Sequence, residues 1–270
     1  LIVALSTDAL RPLTSLLGEE ILGEPYTLPG QPFGPVTANN NGGDGIQALA
    51  YGNEFAGALF LDTQANGNAR DGFDVQLISN EGTTLAAFLS SDLAYDILPD
   101  MLGLDPIDGP DLGGITAHEN GGDGIHLTME SDESSIALFG GVETTGNATN
   151  GIWTSLISSN GSASAYLIEV QSYSNVLGAG IDLNLEREDD ADVVALYAAT
   201  AWNGTDGFRI SATSTPDDAF VMLSFADSWD NAANGIHVSV TGDDEAALGI
   251  SDSIIDHNGA DGIHALIQAQ

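Results

Sequence analysis

Apolar and polar residues alternate in short runs that recur along most of the chain. Phe73, Val75 and Leu77 alternate with Asp74 and Gln76, and Ile46, Ala48 and Ala50 take the same positions around Gln47 and the less typical Leu49. The same run opens at Ile125, Ile152, Ile181, Phe208, Ile236 and Ile263. A period of two over about six residues is the mark of a half-buried strand. Each run is entered through a glycine: Gly45, Gly72, Gly124, Gly151, Gly180, Gly207, Gly235 and Gly262. The spacings between these glycines are 27, 52, 27, 29, 27, 28 and 27 residues. The long gap equals one repeat plus about 25 further residues, a count read against the 27-residue period. A second apolar stretch follows each turn, as in Ala58-Leu59-Phe60-Leu61 and Phe220-Val221-Met222-Leu223, and a short third stretch leads back to the next repeat.

Such a unit cannot bury its apolar face alone. Stacked on its neighbours it can, each strand pairing with its equivalent about 4.8 Å away. The pattern therefore predicts an all-β, single-stranded parallel β-helix of about eight coils. Four residues before the glycines stand Asn41, Asn68, Asn120, Asn147, Asn203, Asn231 and Asn258, with Val176 at the remaining position and Asn175 one place earlier. Stacked asparagines are expected to hydrogen-bond from coil to coil as a structural ladder. This Asn-x-x-x-Gly-Ile pattern resembles the right-handed parallel β-helix repeats of the pectin-lyase-like superfamily over residues 38–270. The resemblance implies a right-handed coil and a choice of functions: polysaccharide lyases, hydrolases and epimerases, or tailspikes, autotransporter passengers and adhesins.

Two segments depart from the repeat. Residues 1–37 combine helical spacing (Leu10, Leu13, Leu16, Leu17, Ile21) with a proline-rich stretch, and are expected to form an N-terminal helical cap. Residues 91–114, with Leu93 to Leu98 and three prolines, read as a side insertion on the 38–270 solenoid. The last run stops at Gln270 with no cap after it, which leads us to expect a covering subunit or a piece of a longer surface adhesin. Head-to-tail stacking into a filament is the sharper form of that expectation.

Composition changes the picture by exclusion. The 270 residues hold forty acids, four arginines, no lysine and no cysteine, for a formal charge of -36. Nucleic acid, which needs a basic surface, is excluded as a partner. Anionic membrane surfaces are disfavoured, and no 18-residue apolar run could span a bilayer. Thiolate and lysine chemistry are absent. With 43% apolar and only 16% charged residues, the chain is nevertheless expected to fold.

The acids fall into two lines. Asp44, Asp71 and Asp123 precede the strand glycines on successive repeats. Carboxylates stacked that closely either suit the turn or recruit a cation, Ca²⁺ being the natural one for oxygen ligands. A second ridge about nine residues after each glycine runs through Glu54, Glu81, Asp132, Glu133, Asp189, Asp190, Asp217, Asp218 and Asp243 to Glu245. It reads as a solvated face that discourages sideways clumping. His126, His237 and His264 share a strand position and read as an outward polar ladder. Of the glycosylation triplets at Asn147, Asn160 and Asn203, only Asn160 lies off the ladder as an acceptor.

Catalysis finds less support. The lyases of the resembled superfamily neutralise a substrate acid with Arg or Lys, and Arg11, Arg70, Arg187 and Arg209 do not cluster in the repeat. The expectation is an extracellular or cell-surface protein with a structural or adhesive role that self-associates through its ends or meets a glycan or cell surface. A polysaccharide-processing glycoside hydrolase or lyase is the alternative.

Overall fold

The computed structural model describes residues 2–6, 36–91, 93 and 114–269. It is a parallel β-solenoid. Coils 1 to 7 each run through three sheets in the order C, A, B, and each sheet contains eight strands among the described residues. Coil 1 comprises Ile46–Gly52 in sheet C, Phe55–Leu61 in sheet A and Thr63–Gln64 in sheet B; coil 2 comprises Phe73–Ser79, Thr83–Leu89 and Ile115–His118; coil 3 comprises Ile125–Ser131, Ser135–Gly140 and Val142–Thr145. Coil 4 comprises Ile152–Ser158, Ala163–Ile168 and Gln171–Tyr173; coil 5 comprises Ile181–Arg187, Ala191–Leu196 and Ala199–Ala201; coil 6 comprises Phe208–Ser214, Ala219–Ser224 and Asp227–Trp229. Coil 8 is represented by Ile263–Ala269. Sequence-equivalent residues pair in register, as in Ile152 with Ile125 and Ile181.

The alternation works as expected. Inward residues of sheet C, from Phe73, Val75 and Leu77 to Ile236, Val238 and Val240, are fully buried. In sheet A the rings of Phe60, Phe88 and Phe139 stack from coil to coil, with centroids 4.7 and 5.3 Å apart. The strand-entry glycines are dictated by the closeness of coils at that turn. A Cβ on Gly72 would stand 2.5 Å from the carbonyl oxygen of Gly124.

Left-handed backbone turns sharp corners at two places in the coil, both of them used in every described coil from 3 to 7. One lies between sheets A and B, at Asp62, Gly141, Glu169, Tyr197, Phe225 and Asp252. The other immediately precedes the ladder asparagine, at Asn40, Gly67, Glu119, Gly146, Ser174, Trp202, Asp230 and His257. Glycine and Asn take this conformation readily, whereas a bulky side chain costs roughly 1–2 kcal/mol there.

Within the expected cap, the described strand Ile2–Ser6 adds antiparallel to Phe55–Leu61 at the edge of sheet A. Val36–Thr37 already belongs to sheet B, paired with Thr63–Gln64. The helix expected near residues 8–22 lies outside the described residues, as does most of the 91–114 insertion. No described helix is long and apolar enough to cross a membrane.

Candidate functional site

The turn from sheet B to sheet C gathers most of the candidate chemistry. Its inner row is the asparagine ladder. Each Asn Oδ1 accepts both the backbone N–H and the Nδ2 of the Asn one coil earlier. For Asn147 as acceptor from Asn120 the distances are 3.1 and 2.9 Å. Asn147 Nδ2 in turn donates to the carbonyl of Ala117 and to Asn175 Oδ1. Asn41, Asn68, Asn120, Asn147, Asn203, Asn231 and Asn258 all belong to this ladder. Asn175, not Val176, fills the remaining place, accepting from Asn147 and donating to Asn203. The turn is one residue longer there, and Val176 is pushed out to 61% exposure. Asn147 and Asn203 are buried, while Asn160 is exposed and donates to Asp132.

The outer row of the same turn holds Asp44, Asp71 and Asp123 on successive coils. Asp44 Oδ1 accepts the backbone N–H of Asp71 at 3.1 Å, and Asp71 Oδ1 accepts that of Asp123 at 2.7 Å. Asp123 Oδ1 accepts from the backbone and side chain of Asn150 and from Thr149. Asn150 and Asp206 continue the pattern to Ala179 and Asn234. One oxygen of each acid is thus engaged in holding the next coil. The second oxygen of Asp44 faces Arg70 at 3.3 Å, and that of Asp123 faces His126 Nδ1 at 3.1 Å. Among the described residues, no three His, Asp or Glu side chains are grouped so as to hold a metal ion.

This geometry sets the titration of the row. Burial raises the Asp71 carboxyl, helped by Asp123 and Asp44 and opposed by the Asp123 N–H and His126. Burial would raise Asp123 too, but hydrogen bonds from His126, Thr149 and Asn150 more than offset it and hold the carboxyl below its ordinary value. His126 is raised, first by its hydrogen bond to Asp123.

Outward on sheet C, the histidines fall in one row with other chemistry. His126 stacks on Trp153 at 4.4 Å, Arg209 pairs with Asp182, and His237 lies 5.0 Å from His264 between ring centroids. These are coil-to-coil contacts between equivalent positions.

The second ridge occupies the turn from sheet C to sheet A. Asp190, Asp192, Asp218 and Glu245 line a shallow recess there with Phe220. Asp192 is raised by burial and by Asp190, and Asp217 by its hydrogen bond with Asp189. Beneath it lies a buried arginine. Arg187 stands in an inward column of small residues, among them Gly52, Ser79, Ser131, Ser158 and Ser214. It is 7% exposed, and Nη1 donates to the carbonyl of Gly161 at 2.8 Å. Burial pulls its pKa down to about 10 against the pull of Asp190, Asp192, Asp189 and Asp217. The period of two from Ile181 through Leu183 and Leu185 marks position 187 as inward.

No known protein family, curated protein or solved structure matches the chain.

Proposed function

We propose that the chain is an extracellular β-solenoid with a structural or adhesive role, wound right-handed as parallel crossover connections overwhelmingly are. The observation that supports this reading is the use of the turn carboxylates. Asp44, Asp71, Asp123 and Asp206 each accept the backbone N–H of the following coil, as Asn150 does. Their chemistry is directed along the axis, into stiffening the stack, and not toward a common point where a substrate would react. A charge of -36 carried on the edges suits salty or cation-rich surroundings, where screening relieves self-repulsion.

The proposal includes head-to-tail association. Parallel in-register pairing makes each coil a template for the next, so one solenoid can extend another with the same backbone bonds in sheets B and C, while in sheet A it would meet the antiparallel strand Ile2–Ser6. A helical segment near residues 8–22 would then belong to the junction. Sedimentation velocity and negative-stain microscopy of the intact protein test this, with end-to-end rods expected and a strictly monomeric species counting against it.

A second reading, a polysaccharide-processing enzyme of the β-helix type, draws on the recess formed by Asp190, Asp192, Asp218, Glu245 and Phe220. Two carboxylates with separated affinities for protons are what glycoside hydrolysis requires. Release of reducing ends or unsaturated products from neutral and acidic glycans would favour this reading, and loss of that activity in Asp192→Asn would place it in the recess.

A further inference from the structure

The outer face of sheet B changes character part-way along the solenoid. In one outward row Gln64, Thr116 and Glu143 occupy coils 1–3, and in the next His118 and Thr145 occupy coils 2 and 3. From coil 4 that second row reads Tyr173, Ala201, Trp229. The adjoining corners carry Tyr197 and Phe225 on one side and Trp202 on the other.

The rings meet for a simple reason. Ala201 sits in register between Tyr173 and Trp229, and its small side chain leaves a slot over which both rings lean, to a centroid distance of 6.0 Å. Trp202 joins them at 6.2 Å from Tyr173 and 6.0 Å from Trp229, with the three ring planes inclined by 49 to 82°. Across the narrow sheet, Tyr197 and Phe225 stack at 4.8 Å. Tyr197 is 58% and Trp202 55% exposed.

Stability alone does not account for this. Tyr197, Trp202 and Phe225 have φ of 55, 55 and 52°, where the other described corners carry Gly, Asn, Asp, Glu, Ser or His. Disfavoured backbone combined with exposed aromatic surface, concentrated on one face of two coils, marks an interaction surface.

Charge says what the surface accepts. Glu143 and Asp227 lie near the Tyr173 phenol and, after burial, raise its pKa. Along the same corner columns Glu169 and Asp252 flank Tyr197 and Phe225, and Asp230 follows Trp202. Arg70, Arg187 and Arg209 all lie outside the strands of sheet B. A polyanion would be repelled. A lysine ammonium would seek the carboxylates but is strongly hydrated. A guanidinium satisfies both demands, because it is planar, weakly hydrated, stacks on aromatic faces and pairs with carboxylates.

We propose that this face of coils 4–6, built on Tyr173, Tyr197, Trp202, Phe225 and Trp229 beside Glu143 and Asp227, docks an arginine-bearing segment of a partner protein. The inference is independent of whether the solenoid polymerises. Aromatic and arginine side chains are the usual anchors of protein interfaces, and the net charge would speed encounter with any basic partner.

The test compares two peptides of equal charge, acetyl-(Gly-Arg)₄-amide and its lysine twin, titrated into the intact protein by calorimetry at physiological salt. The arginine peptide is expected to bind about fivefold more tightly. Trp202→Asn places an αL-tolerant residue at the corner, and Trp229→Thr borrows the residue of coil 3. Each should reduce the preference to less than about twofold with an unchanged circular dichroism spectrum. Asp227→Asn keeps the acceptor for the Ile254 N–H and should weaken arginine binding about threefold without affecting the fold. Equal binding of the two peptides, or an arginine preference that survives all three substitutions, overturns the proposal in favour of diffuse attraction to the acidic edges. Trp202-dependent binding of cellohexaose without any arginine preference overturns it in favour of a neutral glycan.

Discussion

The two halves of sheet B share a backbone and differ in purpose. In coils 2 and 3, strands Ile115–His118 and Val142–Thr145 present Thr116, His118, Glu143 and Thr145 outward. In coils 4 to 6, the positions equivalent to His118 and Thr145 present Tyr173, Ala201 and Trp229, and those equivalent to Thr116 and Glu143 present Gln171, Ala199 and Asp227. The inward residues stay small and buried, from Ala117 through Thr144, Ser172 and Thr200 to Ser228, with Thr144 donating to Ser172 and Thr200 to Ser228. Inside, each residue must match the coil above and below, so packing and hydrogen bonding constrain it. Outside, that demand disappears, and the same scaffold can carry a polar surface or an aromatic one.

The largest expected effect comes from breaking what the halves have in common. Phe88→Ala removes the middle ring of the sheet A stack and should cost about 3–5 kcal/mol in urea unfolding. Asn147→Ala leaves ladder donors and acceptors buried without partners and should cost about 2–4 kcal/mol by the same measurement. Outer-face changes should be far milder. Trp202→Asn exchanges ring contacts for relief of the corner and should shift stability by no more than about 1 kcal/mol in either direction. A loss as large as that of Asn147→Ala would abolish the distinction between a constrained inside and a free outside.

pH sharpens the comparison at the turn row. The raised His126 stabilises the fold fully below about pH 6.5, and this contribution is lost as pH rises through its higher folded value. Asp71 and Asp192 are raised, so their burial penalty falls as pH drops through their folded values toward about pH 4. The depressed Asp123 contributes above about pH 4 and loses that contribution as pH falls through its lower folded value. Calorimetry should therefore find the highest melting midpoint between about pH 4 and 6, with His126→Gln flattening the decline above pH 6. The smallest effect is expected from calcium. With one oxygen of Asp44, Asp71 and Asp123 already bonded to the next coil, Ca²⁺ should raise the midpoint no more than Mg²⁺ at matched ionic strength. A calcium-specific rise reversed by chelation would assign the row to metal binding.

Repetition made the solenoid legible. The Asn-x-x-x-Gly-Ile phrase and its period-two tail specify strand, turn and stacking at once, because every coil repeats the same steric problem. The ladder could be read at all but one coil. Counting back four residues from Gly180 reaches Val176, whereas a turn longer by one residue brings Asn175 into line. The period of two from Ile181 marks Arg187 as inward, but an arginine beside an acidic ridge reads more readily as a surface charge, and its enclosure is visible only in the structure. The aromatic face was harder to see. Tyr197 and Phe225 are 28 residues apart, one coil, but Tyr173 and Trp229 are separated by two coils and Trp202 belongs to a different column. No linear motif joins them.

The amino-acid sequence by itself determined the coil: which residues face inward, which asparagines stack, and where glycine is required. These are nearest-neighbour demands repeated every 27 to 29 residues outside the one long repeat, so they are written into the period. The tertiary structure decided how the outer columns line up. Which carboxylate oxygen is engaged, that Arg187 is enclosed, and that three rings converge over Ala201 all depend on the register between coils and on the left-handed corners. Side-chain contacts across the stack arise only when the chain has wound through three sheets and returned.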